Sequence, residues 1–325
     1  TNINKYCKSS YSGFITMNES IKTTLYEFSN EITAIKLENI NIRQITKIGC
    51  ILRSFYQLFK NEIYKDAILY SLYLHGYIEN ICNLQVNIQN KNINYCKFTK
   101  KNSQFKDAYF ASLVNKKPIK NTYKLNKNIL ITGPNAAGKT TILKTTLFNI
   151  ILSQQLGVGF YKSAQINPYR YIHSYINIPD TSDRDSLFQA EARRCKEILD
   201  SISKSNTLER HFCIFDEIYS GTNPTEAIAS AYAFLKYISK LKNIDYMLTT
   251  HYLSLCNMLN KNTNINNQQM ECYDSKEKTA FYTYKLINGI SNIKGGIKVL
   301  EELDYSKEIL ISAKEVIKKI NHTEE

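Results

Sequence analysis

The sequence predicts an α/β domain with a mixed, largely parallel central sheet, preceded by an α-helical segment. Three observations carry that expectation. Residues 1–85 place apolar side chains at helical spacing, with no Pro before Pro118 to break a helix. From about residue 95 to residue 255, short apolar runs alternate with helical patterns, which is the signature of strands joined by crossover helices. Inside the second region, ILITGPNAAGKTTILKTT at 129–146 passes from an apolar run through a Gly-bearing turn into a helix.

In chain order, helices are expected over 19–37, 41–59 and 65–84; the second carries Ile45, Ile48, Ile51, Leu52, Phe55 and Leu58 at spacings of three and four. The Asn-rich stretch 86–94 reads as a connector and domain boundary. Strands are expected over 95–99 and 123–132, then at 171–178, 212–216 and 246–250, with helices over 186–202 and 225–241 between them. Residues 261–269 read as a second Asn-rich loop, 281–286 as an antiparallel strand and 306–320 as a charged helix.

Bulk properties narrow the class. The 325 residues carry a net charge of +13, which points to an anionic partner, but only seven of the 42 basic residues are Arg. The Lys excess travels with a crowding of Asn, Ile and Tyr, as an AT-rich coding sequence would produce, so charge alone leaves nucleic-acid binding undecided. No apolar run reaches the roughly 18 residues of a membrane span, so no membrane partner is expected. The eight Cys form no C-x-x-C pair, which predicts reduced thiols in an intracellular protein rather than a zinc or disulfide framework. The chain opens at Thr1 without Met, as a processed or trimmed piece of a longer protein would.

The chemistry concentrates at three strand ends. Gly133, Pro134, Asn135, Ala136, Ala137, Gly138, Lys139 and Thr140 fit the phosphate-loop spacing G-x-x-x-x-G-K-[ST], with Thr141 following. The turn aims backbone N–H groups at phosphate oxygens, and the new helix adds its positive N-terminal end. Lys139 is then placed to reach the β- and γ-phosphates, and Thr140 to ligate Mg²⁺. The apolar run at 212–215 delivers Asp216 to the same Mg²⁺ and Glu217 to the attacking water. His251, after Thr249 and Thr250, ends the next strand, where it can donate a hydrogen bond to the γ-phosphate. Asn223, Pro224 and Glu226 form a helix-start signal. Ser186 opens another helix, as an ordinary cap or as a γ-phosphate donor presented to a second subunit; sequence mechanics leaves both open.

TGPNAAGKTT at 132–141, SLFQAE at 186–191, FDEIYSGTNPTEA at 215–227 and TTHYLSL at 249–255 together resemble the ATPase domain of the MutS family over roughly residues 105–305. The tail Tyr284-Lys285-Leu286, Gly289-Ile290-Ser291 and Gly295-Gly296-Ile297 fits the same pattern, and the LSGGQ signature of ABC transporters is absent. The resemblance implies a P-loop, ABC-class ATPase domain over 93–305, a helical lever- or core-like segment over 1–92 and a C-terminal helix over 306–325 as a candidate dimer contact. It implies ATP and Mg²⁺ as cofactors, with Gly133, Asn135, Gly138, Lys139, Thr140 and Thr141 holding the nucleotide and Asp216 the metal. Glu217 is then the general base, His251 the switch histidine and Ser186 a residue acting in trans. Double-stranded DNA and a second subunit, an identical copy or a MutS-like paralogue, are the implied partners, in mismatch repair or recombination.

Two departures qualify the match. Where the family carries an adenine-stacking aromatic, this chain offers Ile119, leaving apolar packing or a role for Tyr123 or Tyr109. The Phe-x-Glu of a mismatch-reading domain occurs only as Phe215-Asp216-Glu217, so no reader is expected here. A chromosome-maintenance ATPase of the ABC class and a non-hydrolysing clamp subunit stay as alternatives.

Overall fold

The computed structural model describes residues 11–33, 45–176, 178, 186–273, 281–291, 300–301 and 303–323. The chain divides into two compact units, Thr1–Gln89 and Asn90–Glu325.

The first unit is helical: α1 Ser12–Thr33, α2 Ile45–Lys60 and α3 Glu62–Gln89. Asn61 separates α2 from α3, its side-chain oxygen accepting the backbone N–H of Ile63 at 3.0 Å as an N-cap does. Phe28 of α1 packs on Tyr64 of α3 with ring centroids 5.1 Å apart. Helix α3 runs through residues 86–89, where the sequence predicts a connector. Neither Pro nor Gly interrupts this stretch, and Asn87 spends its amide on the carbonyl of Asn83 inside the helix (2.8 Å). Residues 34–37 and 41–44, expected to be helical, lie outside the described residues.

The second unit contains two sheets. Its strands are β1 Asn94–Phe98, β2 Ser103–Ala108, β3 Asn121–Leu125, β4 Asn128–Thr132, β5 Val158–Gly159, β6 Ser163–Ile166, β7 Tyr171–Tyr175, β8 His211–Asp216, β9 Ile244–Thr249, β10 Ile265–Tyr273 and β11 Phe281–Asn288. The helices are α4 Lys139–Leu156, α5 Leu187–Lys204, α6 Pro224–Ile238, α7 Leu253–Leu259 and α8 Lys307–Thr323. The six-stranded sheet has the order β11-β10-β4-β9-β8-β7, parallel throughout except for the β10–β11 edge pair. The five-stranded sheet, order β3-β2-β6-β1-β5, is mixed and was not anticipated as a separate layer.

Strand periodicity sorts the core into two halves. Leu130, Cys213, Phe215 and Leu248 face one way, into a cluster with α5, α6 and α7 through Ile198, Ala231, Leu235 and Leu255. Ile129, Ile131, Phe212, Ile214 and Met247 face the other way, against Ile142, Leu143 and Ile150 of α4 and Phe105, Tyr123 and Ala164 of the smaller sheet. Burial on both faces explains why β4 and β8 read as unbroken apolar runs.

Two expectations change. The strand expected over 123–132 is two strands, β3 and β4, in different sheets. The loop expected over 261–269 contains the start of β10, because the backbone of residues 265–269 pairs with all of β4. Its amide-rich side chains stay partly exposed or bond locally, as Asn267 does to Asn260 at 3.2 Å. No helix among the described residues is long and apolar enough to cross a membrane.

Candidate functional site

The turn between β4 and α4 is built by backbone conformations that few residues adopt. Gly133 (φ +153°), Ala136 (φ +62°) and Gly138 (φ +93°) reverse the chain so that α4 starts at Lys139. A Cβ on Gly138 would sit 3.2 Å from the Tyr284 ring in addition to the left-handed strain. Pro134 and Ala137 are buried while Asn135 and Ala136 stand exposed at the rim.

Lys139 is only 6% exposed. Its ammonium donates to the carbonyls of Gly133 (3.0 Å) and Pro134 (3.2 Å) and lies 3.3 Å from His251 Nε2. Burial lowers its pKa, against the opposing pull of Glu217 and Asp216. Thr140, one residue into α4, donates to Asp216 Oδ2 at 2.8 Å. The other Asp216 oxygen accepts from Thr249, at the end of β9. The register explains the meeting: β4, β9 and β8 are consecutive parallel strands, Ile131 pairs with Thr249, and Thr249 pairs with Asp216.

Glu217 follows β8 with φ +53°, an uncommon conformation for a side-chain-bearing residue. A backbone bond from its N–H to Thr249 O (3.1 Å) holds it there. Its carboxylate meets His251 Nε2 at 2.7 Å and Lys139 Nζ at 3.9 Å. Its pKa is lowered, first by the hydrogen bond from His251 and then by the charges of His251 and Lys139, against desolvation.

Beside this cluster lies a cavity of about 360 Å³ lined by Phe110, Ile119, Gly138, Thr141, Met270 and Tyr284. Ile119 is where the sequence placed an apolar contact. Tyr123 and Tyr109 do not line it. Tyr123 is buried with its hydroxyl on Thr146 (2.8 Å), and Tyr109 is buried with its hydroxyl on the carbonyl of Asn92. Tyr123 continues the inner face of the smaller sheet, whereas Tyr109, just past β2, packs edge-on against Phe160 at 5.7 Å. Two aromatic residues line the cavity, Phe110 and Tyr284; Tyr284 of β11, with φ +56°, was quoted in the tail motif but given no role there. Its signal in the sequence was proximity in the fold, which no local pattern reveals.

Ser186 stands outside the cluster. It caps α5, accepting from Gln189 N at 3.3 Å while its own N–H donates to the Gln189 side chain at 2.9 Å. Among the described residues no hydrogen bond or ion pair joins it to 133–140. Five residues on, Glu191 is 2% exposed and accepts from Ser220 N (3.1 Å), Ser220 Oγ (2.9 Å) and Gly221 N (3.0 Å). It ties α5 to the turn that leads from Glu217 into α6, where Asn223 Oδ1 accepts from Glu226 N at 3.0 Å. Gly295, Gly296 and Ile297 lie outside the described residues.

A strand, a glycine-bearing turn and a helix, facing an Asp-Glu pair and a histidine on adjacent parallel strands, define an α/β domain suited to handling phosphates. The model of MutS domain V matches residues 129–321, more than half of the chain. The chain therefore belongs to the MutS family. It is 32% identical to the DNA mismatch repair protein MutS of Orientia tsutsugamushi, over 59% of this chain and 21% of that protein. It is 30% identical to human MutS protein homolog 4 over 63% of this chain and 22% of that protein. It is 29% identical to the Endonuclease MutS2 of Lachnoclostridium phytofermentans over 58% of this chain and 23% of that protein. The chain thus matches between 21% and 23% of the length of these relatives.

Proposed function

We propose that unit Asn90–Glu325 is a P-loop, ABC-class ATPase domain that hydrolyses ATP with Mg²⁺ at sites shared across a dimer and drives conformational change on double-stranded DNA, in mismatch repair or recombination inside the cell. The observation that carries this reading is the convergence of Lys139, Thr140, Asp216, Glu217 and His251 from three adjacent parallel strand ends. Homodimer and heterodimer with a MutS-like paralogue are both compatible with it.

In this reading the backbone N–H groups of 133–138 and the N-terminus of α4 cradle the β- and γ-phosphates. Lys139 exchanges its two carbonyl partners for phosphate oxygens. Thr140 and Asp216 offer hard oxygen donors, already held together at 2.8 Å, which fit Mg²⁺. Mg²⁺ there would supply charge neutralisation for the transferred phosphoryl group. Glu217 accepts a proton from the attacking water, and His251 orients that carboxylate and can donate to the γ-phosphate. The adenine occupies the cavity of Ile119 and Tyr284, and Ser186 completes a partner's site in trans.

The test is steady-state ATP hydrolysis and nucleotide binding by the 325-residue chain and its Lys139→Ala variant, with and without Mg²⁺. Loss of binding or turnover in the variant is expected; unchanged hydrolysis would remove the site assignment.

A further inference from the structure

The outer face of the five-stranded sheet is unused by the reading above. Strand alternation turns Phe105, Tyr123, Leu125, Ala164 and Ile166 inward and leaves their neighbours outside. The registers then align those neighbours. Lys124 pairs with Gln104, Gln104 with Gln165, and Gln165 with Lys97, a straight row across four strands. At the usual strand spacing its lysine ends are about 14 Å apart. Lys106, opposite Ser163, adds a third positive charge in the next row. Among the described residues none of the three lysines has a carboxylate within 4.0 Å. The only acidic residue in β1, β2, β3 and β6 is Asp107, at the bulge of β2, where it accepts from the Thr122 hydroxyl at 3.4 Å. Tyr95, two residues from Lys97 on the same face, is 70% exposed. Together these side chains border a concave space of about 470 Å³.

We propose that this face binds a single-stranded nucleic acid, with its phosphates on Lys97, Lys106 and Lys124 and a base stacked on Tyr95. The charge asks for a polyanion, and the exposed ring asks for a free π-face, which an unpaired strand has and a duplex encloses. Gln104 and Gln165, between the lysines, each present a donor and an acceptor suited to base edges. The face is formed wholly within unit Asn90–Glu325. The proposal adds to the DNA-acting part of the proposed function and does not depend on the nucleotide site.

The test is fluorescence anisotropy of a labelled oligothymidine against the 325-residue chain without nucleotide, at two salt concentrations. A Lys97→Glu/Lys124→Glu variant is expected to bind at least about tenfold more weakly, with the slope of log affinity on log salt lowered by about 1 to 1.5. A Lys240→Glu/Lys261→Glu variant, with the same charge change at exposed positions elsewhere, is expected to lose less than about threefold; equal loss in both would overturn the proposal. Tyr95→Ala is expected to weaken binding about fivefold or more, with Tyr95→Phe restoring it. Indifference to both would remove the stacking contact and overturn single-strand recognition, as would tighter binding of a matched duplex. Urea unfolding measured in parallel reports folding, and the milder Lys97→Gln/Lys124→Gln pair repeats the comparison. Lys139→Ala is expected to leave oligothymidine binding intact, so failure of the nucleotide reading and of this one are separable.

Discussion

His251 Nε2 lies 2.7 Å from Glu217 Oε1 and 3.3 Å from Lys139 Nζ, so one imidazole nitrogen touches both the acidic and the basic member of the candidate site. The Nε2 proton goes to Glu217, and Lys139 donates to two backbone carbonyls. In the proposed function, an entering phosphate would offer Lys139 better partners and free the Glu217 carboxylate for water.

Glu217→Gln keeps the size and the hydrogen-bond reach of the side chain and removes its basicity. Nucleotide binding is expected to persist while turnover falls by about 100-fold or more, the usual worth of a general base. Single-turnover quench with radiolabelled ATP distinguishes stalled chemistry from slow release. Wild-type turnover would remove Glu217 as the base.

Tyr284→Ala is expected to raise the dissociation constant for ATP by about tenfold through loss of a stacked ring, with little change in the rate of chemistry. Tyr123→Phe is the contrast: its hydroxyl is buried on Thr146, so the change is expected to lower stability by about 1 kcal/mol and leave affinity alone. Titration of a fluorescent ATP analogue against both variants makes the comparison.

Glu191→Ala leaves the N–H groups of Ser220 and Gly221 and the Ser220 hydroxyl without their acceptor in a closed environment. A loss of about 2–4 kcal/mol in urea unfolding is expected. Gly221→Ala attacks the same joint from the other side, since its Cβ would lie 2.7 Å from the backbone nitrogen of Phe188. Hydrolysis is expected to fall in both, because this turn follows Glu217 directly.

His173 and His211 stack on each other in the six-stranded sheet, with Nε2 and Nδ1 3.0 Å apart. Burial, the neighbouring His211 and Arg194 lower the His173 pKa from 6.5 to about 4. Because the folded value is depressed, the unfolded chain binds the proton first. The neutral form's stability is present above 6.5 and is lost as pH falls toward 4. Urea midpoints are expected to show about 1–2 kcal/mol less stability at pH 5 than at pH 7, with His173→Gln reducing the difference and His211, whose pKa burial also lowers, carrying the remainder. Glu217 contributes loss of the same sign only below its ordinary 4.5, outside that comparison.

Much of the larger sheet was legible in the sequence. The stretches 129–131, 212–215 and 246–248, which lead to Thr132, Asp216 and Thr249, are unbroken apolar runs, because strands covered on both faces leave no polar alternation to misread. The turn at 133–140 was equally legible, since Gly and Lys at that spacing serve local backbone geometry. The smaller sheet was not: β5 and β6 are two and four residues long, too short for periodicity to register. The start of β10 was hidden by its Asn and Gln, whose backbone pairs between β4 and β11 whatever the side chains prefer.

By itself the sequence determined the family, the alternation of strands and helices around the larger sheet, and the placing of Asp216 at the end of β8 and of His251 just after β9. Tertiary structure alone decided that Tyr284, 145 residues beyond Lys139, supplies the ring beside Gly138. It alone decided that Tyr109 and Tyr123 are spent in the core, that Thr249 holds Asp216, and that Lys97, Gln104, Lys124 and Gln165 form one row. Local propensity acts over a few residues, whereas sheet order and register bring together groups from distant parts of the chain, and no local pattern encodes which of them will meet.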